Sequence, residues 1–190
     1  MKNRSYRRKG PRLGFLCFFL TLTMLFSLPG LTSCRKNEDF LDLFRAGFRS
    51  ELDGTLPELA FSGELCAEPA EYREDGTVRP FCGTFTFYAP ESLAGTKLTR
   101  DREGAIFLTA GGLTVPVAET SDFAAIFALF PVFAEIREAK VNDEGQTEVT
   151  GDGFSLTLLP GGTPLAANAG GASAKIVRFV AGAPGEEDGA

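Results

Sequence analysis

Phe81-Cys82-Gly83-Thr84-Phe85-Thr86-Phe87-Tyr88-Ala89-Pro90 alternates bulky apolar residues with small polar ones, the period-two pattern of a strand with one face in a core. Phe61-Ser62-Gly63-Glu64-Leu65-Cys66 has the same texture. Laid antiparallel with Cys66 opposite Cys82, Phe61, Gly63 and Leu65 face Phe87, Phe85 and Gly83, while Ser62, Glu64, Thr84 and Thr86 share the reverse side. One face is then apolar and the other polar, as a half-buried sheet requires. Pro69 and Asp75-Gly76 supply turn chemistry between the two strands. The pair Cys66 and Cys82 leaves two readings open, a disulfide or two unpaired structural thiols.

Further out, Lys97 to Arg100 and Ala105 to Ala110 read as a hairpin around Asp101-Arg102-Glu103-Gly104, and Leu113 to Val117 as another short strand. Strand texture returns beyond Lys140, at Gln146 to Thr150, Phe154 to Leu158, Leu165 to Asn168 and Ala174 to Val180. Two segments have helical spacing instead. Phe40, Leu41, Phe44, Phe48 and Leu52 predict an amphipathic helix. Ser121 caps a second helix carrying Phe123, Ile126, Phe127, Phe130, Phe133 and Ile136, which Pro131 divides. The predicted class is α+β: a strongly curved antiparallel sheet with helices covering its concave face, over residues 40–180, followed by a disordered acidic tail at 181–190.

The first 14 residues carry Lys2, Arg4, Arg7, Arg8, Lys9 and Arg12 and no acid, and an apolar run from Phe15 to Leu28 follows. That run is short of the roughly 20 helical residues a bilayer core demands, so it reads as an export signal. Leu31-Thr32-Ser33-Cys34 then resembles the lipobox of bacterial lipoproteins. The resemblance implies a signal peptide at 1–33, lipid on the Cys34 thiol and a tether at 34–39. The protein would be exported and anchored to the outer face of the cytoplasmic membrane, or to the outer membrane in a two-membrane host.

Six of the 19 basic residues and none of the 25 acids precede Cys34, so the chain from Cys34 onward has a formal net charge of −12. Nucleic acid is an unsuitable partner for such a surface. The absence of histidine removes the familiar Ser-His-Asp and Cys-His nucleophile pairings. The glycine pairs Gly111-Gly112 and Gly161-Gly162 lack the lysine of a phosphate loop, and the acid clusters lack a calcium loop's spacing. No catalytic residue, metal ligand or cofactor is therefore expected, and the protein reads as a non-enzyme.

The order of elements, with Phe85-Thr86-Phe87-Tyr88-Ala89-Pro90, Leu93-Ala94-Gly95, Ile106-Phe107-Leu108, Gly162-Thr163-Pro164-Leu165 and Lys175-Ile176-Val177-Arg178-Phe179, resembles the lipoprotein-carrier superfamily of LolA/LolB-like proteins. In texture it is closest to tethered clostridial members of the germination-lipoprotein type. The resemblance implies an unclosed β-barrel whose concave apolar face receives acyl chains. Phe61, Phe85, Phe87, Phe107, Phe123, Phe127, Phe130 and Phe133 are the groove candidates, against the plainer reading that such rings pack into a core. The functional expectation is a lipid-anchored binding protein for an acyl chain or lipidated protein segment. The alternative is a cell-envelope scaffold or regulatory partner with a filled cavity, acting through protein contacts, for example in sporulation or germination.

Overall fold

The computed structural model describes residues 43–73, 77, 79, 81–130 and 136–182. All of them belong to the compact unit Asn37–Ala190. They contain eleven strands: β1 (Phe48–Leu56), β2 (Leu59–Ala67), β3 (Gly83–Ala89), β4 (Lys97–Arg100), β5 (Ile106–Ala110), β6 (Leu113–Val117), β7 (Ile136–Val141), β8 (Thr147–Gly151), β9 (Phe154–Leu158), β10 (Pro164–Ala169) and β11 (Ala172–Ala181). These form one antiparallel sheet in the order β6-β5-β4-β3-β2-β1-β11-β10-β9-β8-β7. Each half is a meander of hairpins, and the halves join where β1 pairs with β11. The sheet is not closed, since β6 and β7 stand at its two ends.

Local chemistry sets the turns. Asp101 Oδ1 accepts from the Glu103 and Ala105 amides at 3.0 and 2.8 Å, and Asn142 Oδ1 accepts from the Glu144 and Gln146 amides in the same way. These two Asx turns drive the β4–β5 and β7–β8 hairpins. The β2–β3 pairing keeps the predicted faces but slips by two residues, with Cys66 opposite Thr84 and Leu65 opposite Phe85. An even slip preserves which side chains look inward.

Both predicted helices require correction. From Phe48 onward the first is strand β1, with Phe48, Ser50, Leu52 and Leu56 buried. The four-residue spacing of Phe44, Phe48 and Leu52 is an even number, so it satisfies a strand as well as a helical turn. A helical turn at 43–45 stops at Gly47, whose φ of +79° suits glycine and reverses the chain into β1. The second helix is also shorter. It comprises a 3-10 turn at Asp122–Ala124, where Phe123 N–H donates to Ser121 Oγ at 3.4 Å, and the four-residue helix α1 (Ala125–Ala128). Ile136 already opens β7, and Pro131 and Phe133 lie outside the described residues. Among the described residues, no long helices cover the sheet.

Among the described residues, this short segment and the turn carrying Phe44 pack against the apolar face, and the contacts of the short segment show that the sheet bends. The Phe123 ring lies 5.9 Å from Phe87 on β3, while Ala125 abuts Gly170 in the turn between β10 and β11. β3 and β10 are four strand positions apart, about 19 Å across a flat sheet at ~4.8 Å per strand. Two residues of one turn touch both, so the strands between curl around it.

Candidate functional site

Call the face that carries the buried residues inner and its reverse outer. Five of the eight candidate phenylalanines, Phe61, Phe85, Phe87, Phe127 and Phe130, are buried with at most 4% of their surface exposed. Phe123 is half-buried against them. Their rings touch: Phe85 meets Phe87 at 4.8 Å and Phe61 at 5.6 Å, Phe127 meets Phe81 at 6.2 Å, and Phe130 meets Phe48 at 4.7 Å. Phe44 and Phe179, with rings 5.7 Å apart, complete the cluster. Each buried ring contributes ~1.5–3 kcal/mol by area alone, so this packing needs no ligand to explain it. Among the described residues, the rings in the middle of the inner face pack against one another.

Phe107 is a correction. Its strand neighbours are Thr99 and Pro116, and Thr99 shares a hydroxyl contact at 3.3 Å with Thr84 on the outer face. Leu98 pairs with Leu108 and Arg100 with Ile106, which puts those residues inward and Phe107 outward. Phe133 and the lipidation candidate Cys34 lie outside the described residues.

The registers arrange the inner side of β3 to β6 in rows. One row is Gly83, Arg100, Ile106 and Val117, and the next is Phe85, Leu98, Leu108 and Val115. Leu113, opposite Ala110, continues the face at its far corner. Exposure climbs outward along it, from 0% at Leu98 to 41% at Val115 and 69% at Leu113. The apolar face therefore outruns what covers it. At the opposite end Val141 on β7, also inward, is 70% exposed. The edges themselves are blunted: Pro116 interrupts β6, while Arg137, Glu138 and Lys140 occupy β7. Strand addition is thereby discouraged, and the bare apolar margin is what remains available.

Arg100 was not among the residues singled out from the sequence. Its Nε is buried and has no hydrogen-bond acceptor among the described residues. A guanidinium on a largely apolar face carries no sequence signal, because only the β3–β4 register shows which way it points.

The outer face is polar and ion-paired. Arg49 pairs with Glu64 at 3.8 Å, and Arg102 with Glu68 at 3.0 Å and with Glu71. Cys66 and Cys82 are both free thiols, so the disulfide reading is corrected. Cys66 faces Thr84, which leaves the two cysteines diagonal to each other, and diagonal positions stand farther apart than the ~3.8 Å between Cβ atoms that a disulfide demands. Burial and neighbouring carboxylates, Glu64 for Cys66 and Glu68 for Cys82, push both thiols above their ordinary range. An open hollow of about 590 Å³ surrounds Gly54, lined by the outward residues Asp53, Ala60, Ser62, Ser173 and Lys175 and by Ala89. It reaches the edge of the phenylalanine cluster at Phe61, which also lines it.

No family model matches the chain, and no curated protein matches it. Its structure is similar to an uncharacterized conserved protein from Thermus thermophilus, at 16% identity and a TM-score of 0.45, covering 78% of this chain and 89% of that one. It is also similar to MucB, at 18% identity and 0.42, with 79% of this chain and 60% of MucB covered. A LolA superfamily protein from Nitrosomonas europaea aligns at 7% identity and 0.41, over 79% of this chain and 95% of its own.

Proposed function

We propose that the protein is a non-enzymatic binding protein, exported and held at a membrane by lipid on Cys34, that receives a hydrophobic ligand on the uncovered margin of its inner sheet face. The observation that carries this reading is the rise in exposure from Leu98 through Val115 to Leu113 on one continuous apolar surface. Contiguous apolar surface left bare beside polar strand edges is what an interaction site presents. The ligand class that fits is an acyl chain or the lipidated segment of another protein, because the margin offers area and few hydrogen-bonding groups.

The close packing of the rings favours a second reading, in which the same margin meets a cell-envelope protein and no lipid enters. The two separate in one experiment. The full chain, isolated from its own membrane and weighed by native mass spectrometry, carries a non-covalent acyl species under the first reading. The double variant Leu113→Glu, Val115→Glu loses it while its circular dichroism is unchanged. If wild type and variant both arrive without acyl species, and a stoichiometric protein co-purifies with the wild type alone, the second reading replaces the first.

A further inference from the structure

We infer that Arg100 reads the head group of the ligand, so that the site selects a single-chain amphiphile ending in a carboxylate or phosphate. The inference rests on the proposed hydrophobic site and adds its polar end. Three observations converge on it. The β3–β4 and β4–β5 registers put Arg100 on the inner face, opposite Gly83 and Ile106. That row is continuous with Val117, and the adjacent row leads through Leu108 to the exposed Val115, so a cation stands at one corner of an apolar strip. Its buried Nε–H finds no acceptor, and none of the ion pairs among the described residues includes it.

The physics of that arrangement selects the ligand. A buried donor without an acceptor is costly, and a guanidinium offers a planar fork matched to two oxygens of one anion. An oxyanion beside the accessible part of the guanidinium would balance its charge, and the attached hydrocarbon would run over Leu108, Val115 and Leu113. A neutral lipid would cover the same carbons and leave the guanidinium charge without a counter-ion. The acidic balance of the chain beyond Cys34 makes an isolated inward cation the more selective, since anions are repelled elsewhere on this surface.

The test uses the full chain in its own membrane and two photoactivatable probes of equal length, a diazirine fatty acid and the matched diazirine alcohol, with labelled peptides mapped by mass spectrometry. Both probes label residues 98–117 in the wild type. Arg100→Gln lowers labelling by the acid about tenfold, which corresponds to about 1.4 kcal/mol, and leaves labelling by the alcohol unchanged. Arg100→Lys retains a point charge and falls between, which keeps the inference testable if the glutamine variant folds poorly. Inorganic phosphate at the same concentration as the acid does not displace it, because the chain is needed as well as the head. Equal labelling by acid and alcohol in both wild type and Arg100→Gln overturns the role of Arg100 and leaves the hydrophobic site standing. Displacement by inorganic phosphate also overturns it, since the cation would then be a free-anion site. Failure of either probe to label residues 98–117 in the wild type overturns the hydrophobic site itself.

Discussion

The Phe85 ring occupies the space in front of Gly63 where any other residue would carry its Cβ. A methyl group there would overlap both Phe85 Cζ and the carbonyl oxygen of Thr86. Gly54 does the same for Phe61, whose Cζ would stand 2.5 Å from an added Cβ. Two glycines on adjacent strands thus act as sockets for two rings, which lets bulky side chains lie down on a bent sheet.

Gly63→Ala is accordingly destabilising by about 1–3 kcal/mol, the usual cost of overpacking. Urea unfolding measures it. Adding Phe85→Leu restores only part of the loss, because the Thr86 carbonyl still stands in the way of the methyl group.

The two faces of the sheet predict different sensitivities for two phenylalanines. Phe48 is fully buried among Phe44, Phe81, Phe130 and Phe179, so Phe48→Ala costs about 3–5 kcal/mol. Phe107 lies outward, and Phe107→Ala costs about 1 kcal/mol or less. Equal losses in thermal unfolding would return Phe107 to the inner face.

The free thiols titrate late. Burial first, and then Glu64, raise Cys66 above its ordinary 9.0, so alkylation by iodoacetamide speeds up at higher pH than for an exposed cysteine. Glu64→Gln shifts that profile toward lower pH. Because the folded state holds the proton more tightly, the stability these thiols contribute is complete below the ordinary thiol range and is lost as pH rises through the raised one. Cys82, with burial and Glu68 as its causes, follows the same sign.

Arg102 ties the loop after β2 to the β4–β5 hairpin through Glu68 and Glu71, and Arg79 pairs with Glu71 at 3.8 Å. Exposed pairs of this kind hold local structure and add little global stability. Arg102→Ala therefore leaves the melting temperature unchanged and accelerates tryptic cleavage at Arg73. Raised salt reproduces the effect in the wild type. Unaltered cleavage in both would show that the loop is held by other contacts.

The inner faces of β2, β3 and β9 were legible in the sequence because large and small side chains alternate there without interruption. Three places were not. Phe44, Phe48 and Leu52 recur at four, which satisfies two periods at once, and only the pairing of β1 with both β2 and β11 chooses between them. Ile106-Phe107-Leu108 is apolar throughout, so parity is undefined until Leu98 takes Leu108 as its partner. β7 presents Arg137, Glu138 and Lys140 with an irregularity between Ile136 and Glu138, which breaks its alternation. The candidate site was half visible: aromatic rings announced an interior, but which apolar residues stay uncovered, and that Arg100 joins them, depends on registers between strands.

The seam between β1 and β11 brings together residues remote in sequence, as in the bond from Ser50 Oγ to the Arg178 carbonyl, which spans 128 positions. Its completion awaits the last strand, so this sheet assembles from two hairpin arms that zip at the midline, and loop-closure entropy makes that step the slow one. A premature stop ahead of Ala172 would do more than shorten the chain. It would strip β1 of one neighbour and open a raw polypeptide edge at the heart of the molecule, a target for proteases and for self-association.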